Sequence, residues 1–315
     1  MKNFKIFALS NSLTLGRKIA ENIGIPLGNI KLEKFSDGEM SPSIQESIRG
    51  HNVFLIGSTH QPHDNLFELA LTIDAFNRAG VKKLILIVPY FGYSRADRKD
   101  ESRSSIGATV AATIIESNLI KPIDGIITID LHANQVEGFF KKTAPIHIKG
   151  YSLFVPHLKE IITPSEYVIV SPDAGGLKRA KYFAEHLGVS DLCVMNKVRT
   201  KANMIESTQL VGSVEGKKVL IIDDMADTCG TLCKSVDVLL ENGALEVIAC
   251  ITHPVLSGKA YENLNNSNLK KLYTSDTIPL RGESSKIEIV SSSDILAKVI
   301  KGITVKESIH KITSL

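Results

Sequence analysis

Short, unbroken apolar runs that alternate with amphipathic stretches constrain the fold of this chain most strongly. Most of the runs are followed by helical periodicity or by a loop rich in Asp, Gly and Ser. Continuous apolar strands are typical of parallel sheets covered on both faces, so the sequence predicts an α/β fold. All of the runs are far too short to cross a bilayer. They are Val53–Gly57, Leu84–Pro89, Gly125–Asp130, Tyr167–Ser171, Val219–Asp223 and Val247–Thr252.

Two stretches of the chain resemble each other, one starting at Val53 and the other at Val219. Each predicts a strand, a polar turn, an amphipathic helix, a glycine and a second strand that ends in Pro. The glycines, Gly80 and Gly243, stand where a helix C-cap needs a positive φ. The apolar helix faces also match: Leu66, Leu69, Ile73 and Phe76 in one, Leu232, Val236, Leu239 and Leu240 in the other. Either any two strand–helix–strand units look alike, or the chain holds two domains of one fold.

If the chain holds two domains, it divides near Gly150 into a domain of residues 1–150 and a domain of residues 151–315. We expect each to be a mostly parallel sheet flanked by helices, with the last residues packing back on the first domain. The turns of the repeat differ, because the second copy carries DDMADTCGT and the first carries GSTHQPHDN. Only the second copy is therefore expected to hold a phosphate.

The segment Val219–Thr231, VLIIDDMADTCGT, carries the clearest chemistry. Asp223 and Asp224 follow a buried strand at its carboxyl end, where open α/β sheets bind ligands. Thr228 and Thr231 then open a helix, whose free N–H groups and dipole suit a phosphate. Adjacent acids repel a phosphate unless they face sugar hydroxyls or Mg²⁺. The segment therefore predicts a ribose-phosphate pocket. The alternative is an acidic helix cap, although capping needs one acid and not three.

This segment resembles the motif for 5-phosphoribosyl 1-diphosphate (PRPP) that phosphoribosyltransferases share with PRPP synthetases, and alone it cannot separate the two. Further segments resemble ribose-phosphate pyrophosphokinases in order along nearly the whole chain. The resemblance implies two phosphoribosyltransferase-like domains and an enzyme that transfers the diphosphoryl group of MgATP to the 1-hydroxyl of D-ribose 5-phosphate. The products are PRPP, for nucleotide biosynthesis, and AMP. These segments are Phe35–Glu39, Ser47–Gly50, Pro89–Lys99, Asp130–Phe140 and Ser171–Gly176.

The resemblance places ATP on the first domain, and no P-loop sequence is present. Phe35 is expected to stack on adenine, while Asp37 and Glu39 accept from its amino group or ribose. Arg95 would meet the phosphates. Ala96 stands where the family usually has Gln, so we expect one nucleotide contact to be missing or replaced by water. The implied ATP contacts are Phe35, Asp37, Gly38, Glu39, Arg95 and Ala96.

The resemblance places ribose 5-phosphate and Mg²⁺ on other segments. His132 and Asp173, each just after a strand, match the metal and diphosphate positions, and Mg²⁺ takes few protein ligands. The segment Asn196–Asn203, NKVRTKAN, lacks a hydrophobic period and is predicted to be a flexible loop that closes over ATP. Its Lys197 and Arg199 match the catalytic cations. The implied ribose 5-phosphate contacts are Arg199, Asp223, Asp224, Asp227, Thr228, Cys229, Gly230 and Thr231.

The family's common class is a homohexamer that inorganic phosphate activates and ADP inhibits at a site between subunits. Glu137 replaces the family's usual Gln there, and His310 replaces a common Ser. Because an extra carboxylate repels phosphate, we expect a weaker or altered response to phosphate. Val198, in the catalytic segment, stands where the family has Glu or Arg, so that position is not expected to be chemical. The positions that match the regulatory site are Ser47, Arg49, Arg103 and Ser308.

Three other functions were weighed against this one. A phosphoribosyltransferase would need no adenine site, and the segments at Phe35 and Lys197 argue against it. A non-catalytic regulatory homologue that binds nucleotides tends to lose the phosphate turn, which this chain keeps. A DNA-binding regulator would need a helix-turn-helix segment, and none is visible. A net charge of +3 without a Lys/Arg block favours anionic small molecules over nucleic acid.

The four cysteines, at positions 193, 229, 233 and 250, form no CxxC pair. They predict a reduced cytoplasmic protein and not a disulfide framework. Cys229 and Cys233 are spaced to share a helix face, where small buried residues are favoured over a metal pair because no histidine follows at ligand spacing. The N-terminal MKNFKIFALSNS predicts a strand and lacks the longer apolar core of a signal peptide.

Overall fold

The computed structural model of the chain describes residues 4–117, 120–198 and 207–314. These residues form two compact units. The first contains the chain up to Lys149 together with Thr277–Pro279 and Ser292–Ser314. The second contains Gly150–Asp276 and Leu280–Ser291. Both units are built on a mostly parallel sheet flanked by helices, which confirms the predicted α/β fold.

The first unit has a parallel sheet and a separate antiparallel hairpin. Its elements up to residue 148 are β1 (Phe4–Ala8), α1 (Leu13–Ile23), β2 (Ile30–Lys34), β3 (Met40–Ile44), β4 (Asn52–Ile56), α2 (Asp64–Arg78), β5 (Lys83–Val88), α3 (Gly107–Ile115), β6 (Gly125–Ile129) and β7 (Pro145–Ile148). The sheet order is β1-β4-β5-β6-β7, and every neighbouring pair is parallel. The hairpin is β2 paired with β3.

The second unit has a larger sheet that includes its own antiparallel pair. Its elements are α4 (Gly150–Leu158), β8 (Tyr167–Ser171), α5 (Leu177–Leu187), β9 (Leu192–Val198), β10 (Ser207–Val211), β11 (Lys218–Ala226), α6 (Gly230–Glu241), β12 (Glu246–Pro254), α7 (Ala260–Asn266), β13 (Lys271–Ser275) and β14 (Ile287–Val290). The sheet order is β10-β9-β8-β11-β12-β13-β14, and β10 alone among these described strands runs antiparallel to its neighbour.

The last two helices, α8 (Ser293–Val305) and α9 (Ile309–Thr313), belong to the first unit. Helix α8 packs against α1 and buries Leu296, Val299 and Ile300 completely. Asn22, at the end of α1, donates from Nδ2 to Asp294 Oδ1 at 2.6 Å. Helix α4, although it directly follows β7, packs against α5 and β14 of the second unit.

The repeat extends well beyond the two similar stretches of sequence. In both units the order is strand, helix, antiparallel pair, strand, helix, strand, helix, strand and strand, from β1 to β7 and from β8 to β14. The helix that follows each copy, α4 or α8, packs in the other unit. The two similar stretches are therefore equivalent parts of two units with the same element order.

The helices of the repeat bury the faces that periodicity predicts. Their predicted apolar residues are buried, except that Leu240 is half-buried. Gly80 has φ of 80° and Gly243 has φ of 87°, which confirms that each closes its helix in the left-handed region. The structure contains no helix among its described residues that is long and apolar enough to span a membrane.

Two predicted boundaries were wrong. Strand β11 continues to Ala226 and does not end at Asp223, because β12 pairs with it as far as Pro254. The predicted loop Asn196–Asn203 begins later than expected, since residues 196–198 complete β9 and pair with residues 207–209 of β10. Backbone pairing with a neighbouring strand needs no hydrophobic period, which is why the sequence pattern missed it. Residues 199–203 lie outside the described residues.

Candidate functional site

Two adjacent carboxylates lie near the carboxyl end of β11. Asp224 is 3% exposed, whereas Asp223 is only half-buried. Strand β8 pairs with β11 only as far as Ile221, so both acids lie beyond the end of that neighbour. The backbone N–H of Asp224 donates to Asp223 Oδ1 at 2.8 Å. The sequence therefore puts both acids at the carboxyl edge of the sheet, although within the strand and not after it.

The turn from β11 into α6 is held by the chain that follows β12. Ser257 donates its backbone N–H to Asp227 O at 3.1 Å and its hydroxyl to Asp227 Oδ1 at 2.5 Å. Asn263 on α7 donates from Nδ2 to Thr228 O at 2.8 Å. These bonds fix the carbonyl side of the turn. The first backbone N–H groups of α6 have no acceptor within the helix and point out of its start, which suits an anion.

Cys229 stands at the N-cap of α6 with φ of 60°, in the left-handed region. Its thiol is buried. Burial, helped by the nearby Cys233 and Asp227, raises the pKa of Cys229 to about 12. The thiol is therefore protonated at neutral pH and is a poor nucleophile or metal ligand. Cys229 contributes the shape of the turn and not thiolate chemistry.

Burial and the neighbouring carboxylate of Asp224 raise the pKa of Asp223 well above its usual range. The guanidinium of Arg179, on α5, opposes that effect. Arg179 Nη1 lies 3.3 Å from Asp224 Oδ1 and 3.7 Å from Asp223 Oδ1. An unfilled acid pair of this kind attracts hydrogen-bond donors or a cation.

The loop after β8 presents Asp173 at the start of α5. Asp173 Oδ1 accepts the backbone N–H of Gly176 at 2.8 Å, and the Ser171 hydroxyl donates to Asp173 O at 2.7 Å. A Cβ on Gly176 would come within 2.8 Å of Ser171 Oγ, so the loop closes this tightly only around glycine. Asp173 is exposed, and its second carboxylate oxygen remains available to a ligand.

A carboxylate oxygen is the donor that Mg²⁺ prefers, so Asp173 fits a magnesium ion that keeps most of its waters. His132, the other predicted metal residue, lies exposed just after β6 in the first unit. Among the described residues there is no group of three or more His, Cys, Asp or Glu side chains arranged to hold a metal ion.

In the first unit, Phe35–Glu39 forms the tip of the β2–β3 hairpin. The Phe35 N–H donates to Glu39 O at 2.8 Å, and the Glu39 N–H donates to Asp37 Oδ1 at 3.0 Å. Gly38 has φ of 94°, which a glycine adopts without strain. The Phe35 ring is 62% exposed. An aromatic ring displayed on a fixed turn is suited to stacking on a planar base.

The carboxyl edge of the first sheet carries Arg95 and His132. Arg95 lies exposed on the loop after β5, and Ala96 is held there by its own N–H, which donates to Tyr93 O at 2.9 Å. Gln135 Nε2 donates to Asp97 Oδ2, and this bond ties the Arg95 loop to the segment that carries His132. The structure therefore brings these two predicted residues to one edge.

The backbone beside His132 is braced from β7. The N–H of Leu131 donates to His147 Nε2 at 2.9 Å, so that nitrogen carries no proton. The other ring nitrogen, Nδ1, then donates to Glu137 Oε1 at 2.7 Å. Burial and the Lys149 ammonium lower the pKa of His147, in agreement with a neutral ring. Glu137 therefore has a structural partner that its sequence position did not reveal.

The first unit's copy of the phosphate turn uses its polar atoms internally. Residues 57–60 are buried. The Ser58 hydroxyl donates to Thr277 O at 2.7 Å and accepts the Tyr90 N–H at 3.1 Å. Thr59 Oγ1 accepts the Gly92 N–H at 2.7 Å. The polar side chains of this turn therefore bind neighbouring backbone groups, including that of Thr277, and hold the first unit together.

The predicted regulatory site would lie between subunits and stays a prediction. Its four residues are exposed: Ser47 and Arg49 lie between β3 and β4, Arg103 lies between β5 and α3, and Ser308 lies just before α9. The backbone of Lys197 lies in β9, and Arg199 lies outside the described residues. Sequence reasoning missed Arg179, Ser257 and Asn263. Arg179 could have been noticed because it lies next to the apolar face of α5 in the sequence. Nothing in the sequence pattern pointed to Ser257 or Asn263.

Comparisons with known proteins give matches that cover nearly the whole chain. The model for the N-terminal domain of ribose phosphate pyrophosphokinase matches residues 4–118, and the phosphoribosyl synthetase-associated domain matches residues 190–313. The ribose-phosphate pyrophosphokinase of Porphyromonas gingivalis is 41% identical over 308 residues, which is 98% of this chain and 96% of the relative. That of Wolinella succinogenes is 41% identical over 314 residues, 99% of each chain. The crystal structure of phosphoribosylpyrophosphate synthetase from Mycobacterium smegmatis aligns with a TM-score of 0.89 at 30% identity, covering 97% of this chain and 100% of that one.

Proposed function

The chain belongs to the ribose-phosphate pyrophosphokinase family, and on that premise we propose which of its residues hold each substrate and how they act. It is a diphosphate-transferring enzyme of nucleotide biosynthesis that makes PRPP and AMP from ATP and ribose 5-phosphate. Neither a phosphoribosyltransferase nor a non-catalytic homologue is favoured by the relatives.

Ribose 5-phosphate binds on the β11–α6 turn. The single observation that supports this most is that two acids lie at the edge of the sheet, close to the start of α6. Ser257 and Asn263 hold the turn that joins the acids to the helix by hydrogen bonds. The 5-phosphate accepts from the N–H groups at residues 228–231 and from the hydroxyls of Thr228 and Thr231. The ribose hydroxyls donate to Asp223 and Asp224.

ATP binds to residues of the first unit. Adenine stacks on Phe35, which is exposed on the hairpin tip, and Asp37 and Glu39 accept from the nucleoside. Arg95 contacts the phosphates. Ala96, in place of the usual Gln, makes no polar side-chain contact with the nucleotide. His132 of the first unit and Asp173 of the second would each be a candidate protein ligand of Mg²⁺, which would supply positive charge for the diphosphate oxygens.

In the reaction the ribose 1-hydroxyl oxygen bonds to Pβ of ATP, and the bond from Pβ to the oxygen that bridges it to Pα breaks. The hydroxyl proton is lost to solvent, and AMP leaves with the bridging oxygen. The positive charges of Lys197 and Arg199 offset the negative charge that builds on the transferred group. Positioning and charge neutralisation supply most of the acceleration in such transfers.

One assay tests the activity and one variant tests the assignment of Lys197. Purified protein is incubated with MgATP and ribose 5-phosphate, and AMP is measured; absence of AMP would overturn the proposal. Lys197→Ala is expected to lower turnover by about 100-fold or more while substrate affinity changes little, because its charge is needed mainly in the transition state. Near-normal turnover in that variant would remove Lys197 from the mechanism.

The proposed assembly is a homohexamer with inorganic phosphate and ADP as effectors at Ser47, Arg49, Arg103 and Ser308. Glu137 Oε1 accepts from His147 Nδ1 at 2.7 Å, and Lys149 Nζ lies 3.9 Å from the same oxygen. We expect weak activation by phosphate and stronger activation in Glu137→Gln. A steep phosphate requirement in the wild-type enzyme would contradict this expectation.

A further inference from the structure

Arg179, on α5, reaches the acid pair of the β11–α6 turn. Its Nη1 atom lies 3.3 Å from Asp224 Oδ1 and 3.7 Å from Asp223 Oδ1. Lys181, on the same helix, instead pairs with Glu185 in solvent, where the lysine side chain is 68% exposed. The position of Arg179 on α5, and not the basic character of the helix, therefore brings a cation to the acids.

The Arg179 ion pair is shielded from water, which makes it stronger than a surface pair. The Arg179 side chain is 16% exposed and that of Asp224 is 5% exposed. Loss of the cation would leave Asp224 buried without this compensating charge, which is costly. It would also remove a positive charge from beside the acids, next to the place proposed for the dianionic 5-phosphate, and so increase the electrostatic repulsion that the ligand meets.

Arg179 and the backbone meet at one oxygen of Asp223. The Asp224 N–H donates to Oδ1 of Asp223, and Arg179 Nη1 lies 3.7 Å from the same oxygen. A cation beside that oxygen opposes the rise in the pKa of Asp223 that burial and Asp224 cause.

Arg179 also links the two loops at the carboxyl edge of the second sheet. Helix α5 begins directly after the Asp173 loop, and a Cβ on Gly176 would lie 3.6 Å from Asp173 Oδ1 and 3.8 Å from Arg179 Nη1. One helical turn thus joins the loop proposed to contact the diphosphate to the acids proposed to contact the sugar.

We propose that Arg179 is a positioning residue for ribose 5-phosphate, which orients Asp223 and Asp224 so that they accept the sugar hydroxyls. This inference rests on the proposed function of the β11–α6 turn. Arg179 acts through the two acids and is not assigned a contact with the reacting atoms.

The test compares variants of the full-length enzyme by isothermal titration with ribose 5-phosphate alone and, separately, with MgATP. Arg179→Met keeps the length of the stem and removes the charge. We expect it to weaken ribose 5-phosphate binding by about tenfold or more, because charge-assisted contacts are lost. Affinity for MgATP should fall much less than affinity for ribose 5-phosphate, since most of its proposed contacts are in the first unit. Arg179→Lys, which keeps the charge, should recover most of the affinity.

Lys181→Met is the matched control, because it removes a positive charge from the exposed side of the same helix. It should change ribose 5-phosphate binding by less than about twofold. Equal binding of ribose 5-phosphate by Arg179→Met and wild type would overturn the inference, as would an equal loss in the Lys181 control. A parallel loss of MgATP affinity would also overturn it, because it would indicate general disruption of the fold.

A second comparison serves if Arg179→Met folds poorly. The double variant Arg179→Met with Asp224→Asn removes both buried charges together, so neither is left uncompensated. It should bind ribose 5-phosphate about threefold or more weaker than Asp224→Asn alone, because Arg179 also acts on Asp223. Equal affinities would overturn the inference. A wild-type enzyme that neither binds ribose 5-phosphate nor forms AMP would instead overturn the proposed function.

Discussion

Buried carboxylates in this chain are placed where backbone or cationic partners surround them. Glu116, at the end of α3, is 7% exposed, and its carboxylate accepts the backbone N–H groups of Lys141, Lys142 and Thr143 at 2.7, 3.0 and 2.9 Å. Three amide donors on one ionised side chain fix the loop that leads into β7. The residue is structural, and no feature of the sequence near position 116 predicted it.

Glu116→Gln should destabilise the first unit, because an amide offers a single acceptor oxygen and turns an N–H donor toward another donor. We expect a loss of about 3 kcal/mol in the free energy of unfolding, the usual cost of leaving buried donors unsatisfied. Urea denaturation would measure it. Glu21→Gln, on the exposed side of α1, is the control and should change stability by less than about 0.5 kcal/mol. A Glu116 variant as stable as this control would contradict the assignment.

Asp223 is expected to make the unliganded protein less stable as pH rises. Its pKa in the folded state is raised by burial and by Asp224, so the folded protein holds a proton that the unfolded chain has already released. A state that binds more protons loses relative stability with increasing pH, so the loss begins near the unfolded pKa of about 3.9 and continues until the folded pKa is passed.

Asp223→Asn removes this pH dependence. The variant should be more stable than wild type at neutral pH, because Asp224 keeps its pairing with Arg179, and it should bind ribose 5-phosphate far more weakly. Thermal melts across the pH range without ligand, and titration with the sugar phosphate, would measure the two effects. Asp237→Asn, an exposed acid on α6, is the control. An Asp223 variant with the wild-type pH profile of stability would refute the explanation.

At the scale of elements, the antiparallel pair that follows the first helix of each unit carries proposed substrate contacts. In the first unit its tip is the Phe35–Glu39 turn, and in the second Lys197 lies near the end of β9. The repeat therefore carries the proposed adenine platform and the proposed catalytic Lys197 on equivalent elements. A hairpin can vary its tip without disturbing the sheet, which suits it to diverging chemistry.

Phe35→Ala tests the hairpin of the first unit. Stacking of a base on an aromatic ring contributes about 1–3 kcal/mol, so ATP affinity should fall by roughly 5- to 150-fold. Stability should change little, because the ring is 62% exposed. Phe67→Ala, a similarly exposed phenylalanine on α2 at 58%, is the matched control. Calorimetric titration with ATP distinguishes them, and equal affinities in the two variants would exclude the platform.

At the scale of the whole molecule, the helix that follows each copy of the repeat belongs to the other unit. Helix α4 follows the first copy and belongs to the second unit, and α8 follows the second copy and belongs to the first. Helix α8 closes the first unit by covering α1, although most of the second unit separates it from α1 in the chain. A division of the chain at Gly150 therefore does not release two complete units. The first unit consists of the chain up to residue 149 together with residues 277–279 and 292–314.

A fragment of residues 1–149 should consequently fail to fold alone. Burying Leu296, Val299 and Ile300 stabilises the unit by about 1.5–3 kcal/mol for each side chain, a sum comparable to the whole stability of a small domain. Fusing residues 292–315 to the fragment through a flexible linker should restore a cooperative thermal transition in near-ultraviolet circular dichroism. A cooperative transition in the unfused fragment would show that α8 is dispensable.

The sequence by itself determined the α/β class, most strands, the glycine caps and the repeat, because each depends on residues that are close along the chain. It also determined the chemistry of residues 223–231, where acids, hydroxyls and a helix start follow one another directly. Tertiary structure decided how far β11 extends, since β12 supplies its pairing. It decided that Arg179 meets Asp223 and Asp224, that Glu116 holds a distant loop and that α8 returns to α1. Those outcomes depend on burial and charge contacts between residues far apart in the chain, which no local pattern encodes.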